Sequence, residues 1–183
     1  MEITTQRLKL RQWKTRDRIP FAQLNGNPEV MEFFPNTLSP AESDAFALRC
    51  EKLIESRGWG FWAVERLEDQ AFMGLVGLHN PSAPLSFKPC IEVGWRLDKP
   101  YWGKGYATEA AKASLKFGFE TLELKEIVSF TSLLNLRSQA VMERLQMTRD
   151  PASFMHPSVT KGHPLEEHCL YRISREQWIQ SQA

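Results

Sequence analysis

The chain has 183 residues and little cysteine. Cys50, Cys90 and Cys169 are odd in number and far apart, with no C-x-x-C pair for zinc or redox chemistry. Buried, reduced thiols are their ordinary reading. No stretch approaches the ~18 uninterrupted apolar residues of a membrane span. The opening MEITTQRLKLRQW lacks the apolar run of a secretory signal. A cytoplasmic protein without a membrane partner is therefore expected. Charge of one sign is also lacking: 23 Lys and Arg face 22 Asp and Glu, a net charge of +1. That balance argues against a broad basic face for nucleic-acid phosphates. Neither an internal repeat nor a low-complexity tract nor an evident linker divides the chain. Its length suits one domain at ~150 residues per domain, so residues 1–183 read as a single unit. A hydrophobic share of 42% with 25% charged residues excludes disorder as a global description. Aromatics are plentiful: 6 Trp, 11 Phe and 3 Tyr suggest a core or cleft with large flat walls.

Local patterns set the elements. Leu8 to Trp13 alternates apolar and polar residues and predicts a strand. Thr15 or Asp17 can cap a short helix carrying Phe21 and Leu24 and ended by Asn25-Gly26. Ser39-Pro40-Ala41-Glu42 reads as a capping box with proline at the first helical position. Phe46, Cys50, Leu53 and Ile54 then share a face, and Gly58 stops the helix. Three strands follow at 60–65, 72–79 and 91–97, the first two joined at Glu68-Asp69-Gln70 as a hairpin. Pro81, Pro84 and Pro89 make 80–89 an irregular loop. A helix over 107–121, a strand over 127–131, a helix over 136–145, a strand over 169–173 and a short helix opened by Ser174 complete the chain. Early consecutive strands imply antiparallel pairing, and the later strand–helix–strand unit implies a parallel step. The expected class is α/β (α+β): a mixed, mostly antiparallel sheet with helices on both faces.

The most informative segment runs from Trp95 through Tyr101-Trp102-Gly103-Lys104-Gly105-Tyr106-Ala107-Thr108. A strand ends, a glycine turn follows, and a helix of small residues begins. Unpaired amides at the positive end of a helix are a ready phosphate site. Gly105 lets an anion approach the backbone, Thr108 adds a hydroxyl and Lys104 adds charge. A Walker loop fails because Gly105 follows Lys104 and Asp98 stands five before Gly103. A dinucleotide fingerprint fails because Thr108 stands where glycine or alanine is needed. A glycine turn that merely opens an ordinary helix is the plain alternative.

This segment resembles the acyl-CoA pyrophosphate loop of the GNAT superfamily of N-acetyltransferases, with the pattern [QR]-x-x-G-x-[GA] laid on Trp102 to Ala107. Gly105 and Ala107 match, and Trp102 stands at the Gln/Arg position. Three further segments resemble the branch that contains the ribosomal-protein N-terminal (alanine/serine) acetyltransferases. They are Thr5-Gln6-Arg7-Leu8-Lys9-Leu10-Arg11, Glu92-Val93-Gly94-Trp95, and Asn135-Leu136-Arg137-Ser138 with Glu143-Arg144-Leu145-Gln146-Met147, where Gln146 replaces the usual glycine. The resemblance covers nearly the whole chain in the right order. It implies a GNAT-like sheet with a splayed central strand pair, acetyl-CoA as cosubstrate, no metal, and transfer of an acetyl group to a primary amine.

The expected cofactor-binding residues are Trp95, Arg96 and Leu97 along the pantetheine, then Trp102, Gly103, Lys104, Gly105, Tyr106, Ala107 and Thr108 at the pyrophosphate. Asn135 and Ser138 follow a strand three residues apart and can face one groove. The resemblance puts Asn135 on the CoA arm and Ser138 near the thioester sulfur, where a hydroxyl can donate to the leaving thiolate. Capping a helix is the bland role of Asn135. The third expected catalytic residue is Glu92, a base acting through water on the amine or else a salt-bridged sheet residue. A backbone amide of the same strand would hold the developing oxyanion. The attacking amine must be neutral, and an α-amine with a pKa of roughly 7.7–8.0 needs less help than a lysine at roughly 10.4. A protein N-terminal α-amine is thus slightly favoured over a small amine such as an antibiotic or polyamine. A non-catalytic CoA-binding module is the remaining alternative.

His79 ends a strand near the same cleft and reads as a structural histidine. His156, His163 and His168 lack the spacing of a metal set, and a loop over the acceptor pocket fits them better. Phe33-Phe34-Pro35 and Trp59-Gly60-Phe61-Trp62 can line that pocket or belong to the core. Trp13 and Trp178 read as ordinary packing. The sequence leaves monomer and homodimer equally open.

Overall fold

A computed structural model describes residues 2–182. In chain order the elements are β1 (Ile3–Thr4), β2 (Leu8–Arg11), α1 (Arg18–Gly26), α2 (Pro40–Arg57), β3 (Phe61–Arg66), β4 (Phe72–His79), β5 (Glu92–Leu97), α3 (Tyr106–Glu120), β6 (Glu126–Ser132), α4 (Leu136–Arg144), β7 (Thr148–Arg149), β8 (Phe154–Met155), β9 (Glu167–Ser174) and α5 (Arg175–Gln182). The sheet order is β1-β2-β3-β4-β5-β6-β9-β7, with β8 also on β9. Every pair is antiparallel except β5–β6. This is the expected mixed, mostly antiparallel sheet, and it does not close.

Strand alternation assigns the two faces. Trp62 packs edge-on against Phe117 of α3, with ring centroids 5.4 Å apart. Phe119 of α3 stacks on Trp178 of α5 at 5.8 Å. On the opposite face α2 covers β3, so that a Cβ at Gly60 would lie 2.9 Å from Ile54. The apolar core, with Leu8, Leu10, Trp62, Val76, Leu78, Leu115 and Ile127 all fully buried, fills both layers.

The ends of α2 follow the sequence rules. Ser39 Oγ accepts from the Glu42 amide at 3.3 Å, Glu42 returns the bond to the Ser39 amide at 2.8 Å, and Gly58 closes the helix at φ 82. Its buried stripe is Ser43, Ala47, Cys50 and Ile54. Phe46 and Leu53, expected on that stripe, lie at its edge and face a cleft instead.

Other boundaries moved for physical reasons. β2 stops at Arg11, two residues short of Trp13, because the fully buried Arg11 side chain pairs with Asp17 and Glu65 at 2.7 Å each. The chain turns there to bring Asp17 back, and Trp13 docks by donating its Nε1–H to the Phe61 carbonyl at 2.9 Å. Asp17 precedes α1 but does not cap it, since its carboxylate is committed to Arg11 and the Lys14 amide. β1, β7 and β8 have two residues each, too few for an alternation signal. Gln146, in place of the usual glycine, still adopts the left-handed conformation at φ 60. The Met147 amide then reaches the Met142 carbonyl at 3.1 Å, so α4 ends as a glycine-closed helix would.

The parallel step is brief. β5 and β6 pair at Glu92↔Val128 alone among the described residues, through the Val128 amide on the Ile91 carbonyl at 2.9 Å. A side-chain tie from Ser129 Oγ to the Val93 carbonyl at 2.9 Å follows. Beyond it β6 stays with β9 over seven registered pairs while β5 stays with β4. The central strands are splayed, and a cleft opens at the fork.

Candidate active site

The cleft has a volume of about 1530 Å³. Small-molecule sites run to roughly 300–1,000 Å³, so this one has room for a long ligand and a second molecule beside it. Its lining runs from the Trp102–Thr108 turn, past the fork, to aromatic residues from α2 and the segment before it.

The turn is built for an anion. Gly103 and Gly105 take φ 71 and φ 80, the left-handed region that glycine enters without a Cβ penalty. α3 begins at Tyr106, one residue earlier than expected, with Gly105 as its N-cap and no side chain closing it. From Gly103 to Thr108 no backbone amide has a protein acceptor among the described residues. Six consecutive free donors at the positive end of a 15-residue helix fit a pyrophosphate.

Residues far away in sequence hold this turn. Glu109, in the first turn of α3, accepts from Thr5 Oγ1 at 2.6 Å, the Arg7 amide at 2.9 Å and Arg7 Nε at 2.6 Å. Arg7 also donates to the Lys104 carbonyl at 3.0 Å and covers the Tyr106 ring at 4.4 Å. Thr5 and Arg7 were recognisable as part of a motif, but their task was not. Trp102 donates its Nε1–H to the Leu97 carbonyl at 2.8 Å and lies under the Arg137 guanidinium at 4.5 Å. The indole thus ties the turn to the end of β5.

Asn135 and Ser138 meet as expected at the start of α4. Asn135 caps the helix, its Oδ1 accepting from the Ser138 amide at 3.1 Å. Its Nδ2 donates to Ser138 Oγ and Thr131 Oγ1, at 3.0 Å each. Trp95 Nε1 donates to the same Ser138 Oγ at 3.3 Å. A hydroxyl has two lone pairs and one proton. Both lone pairs of Ser138 are met by donors, and its proton has no protein acceptor among the described residues.

The side chains of β5 divide between the two faces. Val93, Trp95 and Leu97 turn toward α3 and α4, and Glu92, Gly94 and Arg96 toward α1 and α2. The backbone alternates too. The bond from Val128 to the Ile91 carbonyl turns the odd-numbered amides and carbonyls to the fork, where those of Trp95 have no partner strand. The backbone of Arg96 is directed instead to Leu75 of β4. Of the three residues expected along the pantetheine, Trp95 and Leu97 are thus the ones whose backbone groups turn to the fork. Of those two, Leu97 already spends its carbonyl on Trp102.

Glu92 has no ion pair or side-chain hydrogen bond among the described residues, which removes the salt-bridged alternative. Burial pushes its carboxyl up to about 8. Its cross-strand neighbour His79 stacks on Phe61 at 5.0 Å. Burial, with Arg57 and Lys88 nearby, pulls that imidazole down to about 4, so it stays neutral.

The aromatic expectations split. Phe33, Phe34, Pro35 and Phe61 line the cleft, whereas Trp62 is fully buried in the core beneath α3 and Trp59 lies under the Arg57 guanidinium at 3.6 Å. His156 and His168 reach the cleft with ring centroids 4.8 Å apart, and burial holds His168 at about 4. His163 instead accepts from the Leu165 amide at 3.0 Å within its own loop. No group of three His, Cys, Asp or Glu residues suited to a metal occurs among the described residues. No helix among them is long and apolar enough to cross a membrane.

A fork with a free strand edge, a glycine turn of unpaired amides and a hydroxyl beside both define an acyltransferase site. The acetyltransferase (GNAT) domain family matches residues 7–148, and the chain belongs to that family. An uncharacterized N-acetyltransferase of Bacillus subtilis, YnaD, is 29% identical over 178 residues, covering 97% of this chain and 99% of its own. The FsC-acetyl coenzyme A-N(2)-transacetylase of Aspergillus fumigatus is 29% identical over 170 residues, covering 87% and 70%. The solved ribosomal-protein-S5-alanine acetyltransferase of Vibrio fischeri shares the fold with a TM-score of 0.75 at 18% identity, over 97% of this chain and 98% of its own. The protein is an acetyl-CoA-dependent N-acetyltransferase.

Proposed function

We propose that the protein moves the acetyl group directly to a primary amine in a ternary complex, with an α-amine as the favoured acceptor. The observation that carries this reading is the run of six unpaired amides from Gly103 to Thr108, opening on the cleft that also holds Ser138 and Glu92. Acetyl-CoA supplies an activated thioester. Gly103 to Thr108 hold its pyrophosphate, with Lys104 adding charge. Trp95 offers an amide and a carbonyl to the pantetheine at the open edge of β5. The same edge provides the donor for negative charge growing on the carbonyl oxygen.

Ser138 donates its free proton toward the departing sulfur, held in place by Asn135 and Trp95. Glu92 faces the acceptor side and takes the proton of the incoming ammonium, directly or through water. Its carboxyl near 8 matches an α-amine, so proton transfer between them is nearly balanced. Lysine is a poorer match. The competing acceptor is a small-molecule amine. Cys50 lines the cleft, but burial pushes its thiol up to about 12, which makes it a poor nucleophile for a covalent intermediate.

The test has two stages. Calorimetry with acetyl-CoA should show binding, and its absence would overturn the assignment of the turn. CoA release is then followed with short peptides bearing free or blocked N-termini, and with polyamines and aminoglycosides. The expected result is turnover of free N-terminal peptides. Turnover of small amines alone would transfer the reading to the alternative.

A further inference from the structure

The acceptor side of the cleft holds an arginine that the chain itself leaves unmatched. Arg96 lies between the rings of Phe34 and Phe46, with its guanidinium carbon 4.3 and 5.3 Å from their centroids. One protein acceptor is present, Asn25 Oδ1, at 2.7 Å from Nη1. Nε is buried with no partner, and no carboxylate lies within ion-pair distance among the described residues. Burial lowers its pKa to about 10, which still leaves it charged at neutral pH.

A guanidinium has five donors in a planar fork, and one acceptor uses only one of them. Arg96 is half-buried, and holding the inner part of a cation away from water without a counter-charge is costly. The neighbourhood adds to the imbalance. Arg49 of α2 lines the same wall, 5.4 Å from the Phe46 ring, and has no ion pair among the described residues. Glu92 is the one carboxylate in the lining of the cleft. It stands on the same face of β5, four residues from Arg96, or roughly 13 Å along the strand. Gly94 between them presents no side chain, and the edge of the Phe61 ring lies over it, 3.1 Å from where a Cβ would stand, so an aromatic surface of the cleft wall joins the two.

We propose that Arg96, supported by Arg49, is the anchor for a carboxylate on the acceptor, and that the acceptor is an aminocarboxylate. Its amine meets Glu92 and its carboxylate meets Arg96, about four extended residues away. Asn25 is the positioning residue. It accepts from Arg96 and donates to Ser43 Oγ at 2.9 Å, which fixes the fork to α1 and α2. The inference rests on the proposed amine acetylation and specifies its substrate class. The carboxylate can be the end of a short free peptide or an acidic side chain near the N-terminus of a longer one.

The experiment uses the full chain with acetyl-CoA and matched tripeptides and tetrapeptides. One arm compares a free C-terminal carboxylate with its amide. The other compares Glu with Gln at the third residue of C-terminally amidated peptides. In at least one arm the carboxylate member should be preferred by about tenfold or more in kcat/KM, mainly through KM, as expected for a charge-assisted fork pair. The arm that responds identifies the source of the carboxylate. In Arg96→Gln the preference should collapse toward unity while acetyl-CoA binding by calorimetry is retained. Arg96→Lys should keep part of it.

Equal use of carboxylate and neutral members by the wild type overturns the proposal without any variant. So does an Arg96→Gln protein that keeps the preference. Calorimetry of the CoA-bound protein with the same peptides reads the anchor without turnover. Failure of every carboxylate member to bind there more tightly than its neutral partner also overturns it. Loss of turnover with all amines while carboxylate peptides still bind would count against the acetylation reading and leave the anchor standing.

Discussion

Arg11 and Arg96 are both arginines drawn into the interior from strands of one sheet, and they are treated in opposite ways. Arg11 is fully buried and closed on all sides: Asp17 accepts from Nη1 and Nη2 at 2.7 and 2.9 Å, Glu65 from Nε at 2.7 Å, and the Gln12 carbonyl from Nη1 at 3.0 Å. Those carboxylates outweigh the cost of burial and keep its pKa raised. Arg96 has one neutral amide oxygen and two aromatic faces. The first arginine is internally neutralised and belongs to the architecture. The second carries an unanswered charge into a cleft, together with Glu92, an unanswered acid. Buried charge that the chain satisfies marks structure, and buried charge that it leaves open marks a place for a ligand.

The largest effect should come from breaking the closed side. Arg11→Met strands the Asp17 carboxylate in the interior and leaves Glu65 to Arg16 alone, at 2.8 Å, and should cost about 3–5 kcal/mol of stability, read by urea denaturation. Arg96→Gln should cost less than about 1 kcal/mol in the same assay, since no counter-ion is stranded. Equal losses in the two variants would erase the contrast. Ser138→Ala comes next: kcat should fall by about 100-fold, the lower range for general acid catalysis, with acetyl-CoA affinity nearly unchanged. Undiminished turnover would remove Ser138 from the mechanism.

Glu92→Gln sharpens the open side through pH. The wild-type kcat/KM should rise with pH and level off above about 8, as Glu92 loses its proton, whereas in the variant the rise should follow the acceptor amine alone and move when an acceptor of different basicity is used. Stability should show the reverse trend. The carboxyl holds its proton more tightly in the folded state than at its ordinary value of 4.5. Between about 4.5 and about 8 unfolding therefore releases a proton, and stability falls as pH rises through that window. Glu92→Gln should gain in Tm over the wild type more at pH 9 than at pH 5. The smallest effect is a control outside both regions. Gln146→Gly relieves a left-handed glutamine and should add about 1 kcal/mol without altering kcat.

The contrast also separates what could be read in the sequence from what could not. Ser39 to Glu42 fixed the start of α2, and Gly103 to Thr108 announced the phosphate turn, because caps and glycine turns are local and their chemistry lies within a few residues. Asn135 and Ser138 were legible for the same reason. Arg11 read as the end of a strand motif and Arg96 as a residue beside the pantetheine. Their difference lies in partners 6, 54 and 71 positions away. Asn25 was read as a turn residue, while its actual work is between Ser43 and Arg96. The backbone direction of Arg96 depended on the register of β5 against β6, and a single bridge sets that register.

The contacts between Thr5, Arg7 and Glu109 span more than a hundred residues of chain. Thr5 and Arg7 are made well before Glu109, so their brace on the cosubstrate turn can form only once α3 has been synthesised. Nascent chains that lack α3 have no such turn to offer. The geometry of the pyrophosphate turn thus depends on a strand edge at the far side of the sheet order, through Thr5 and Arg7 on Glu109 and Arg7 on the Lys104 carbonyl.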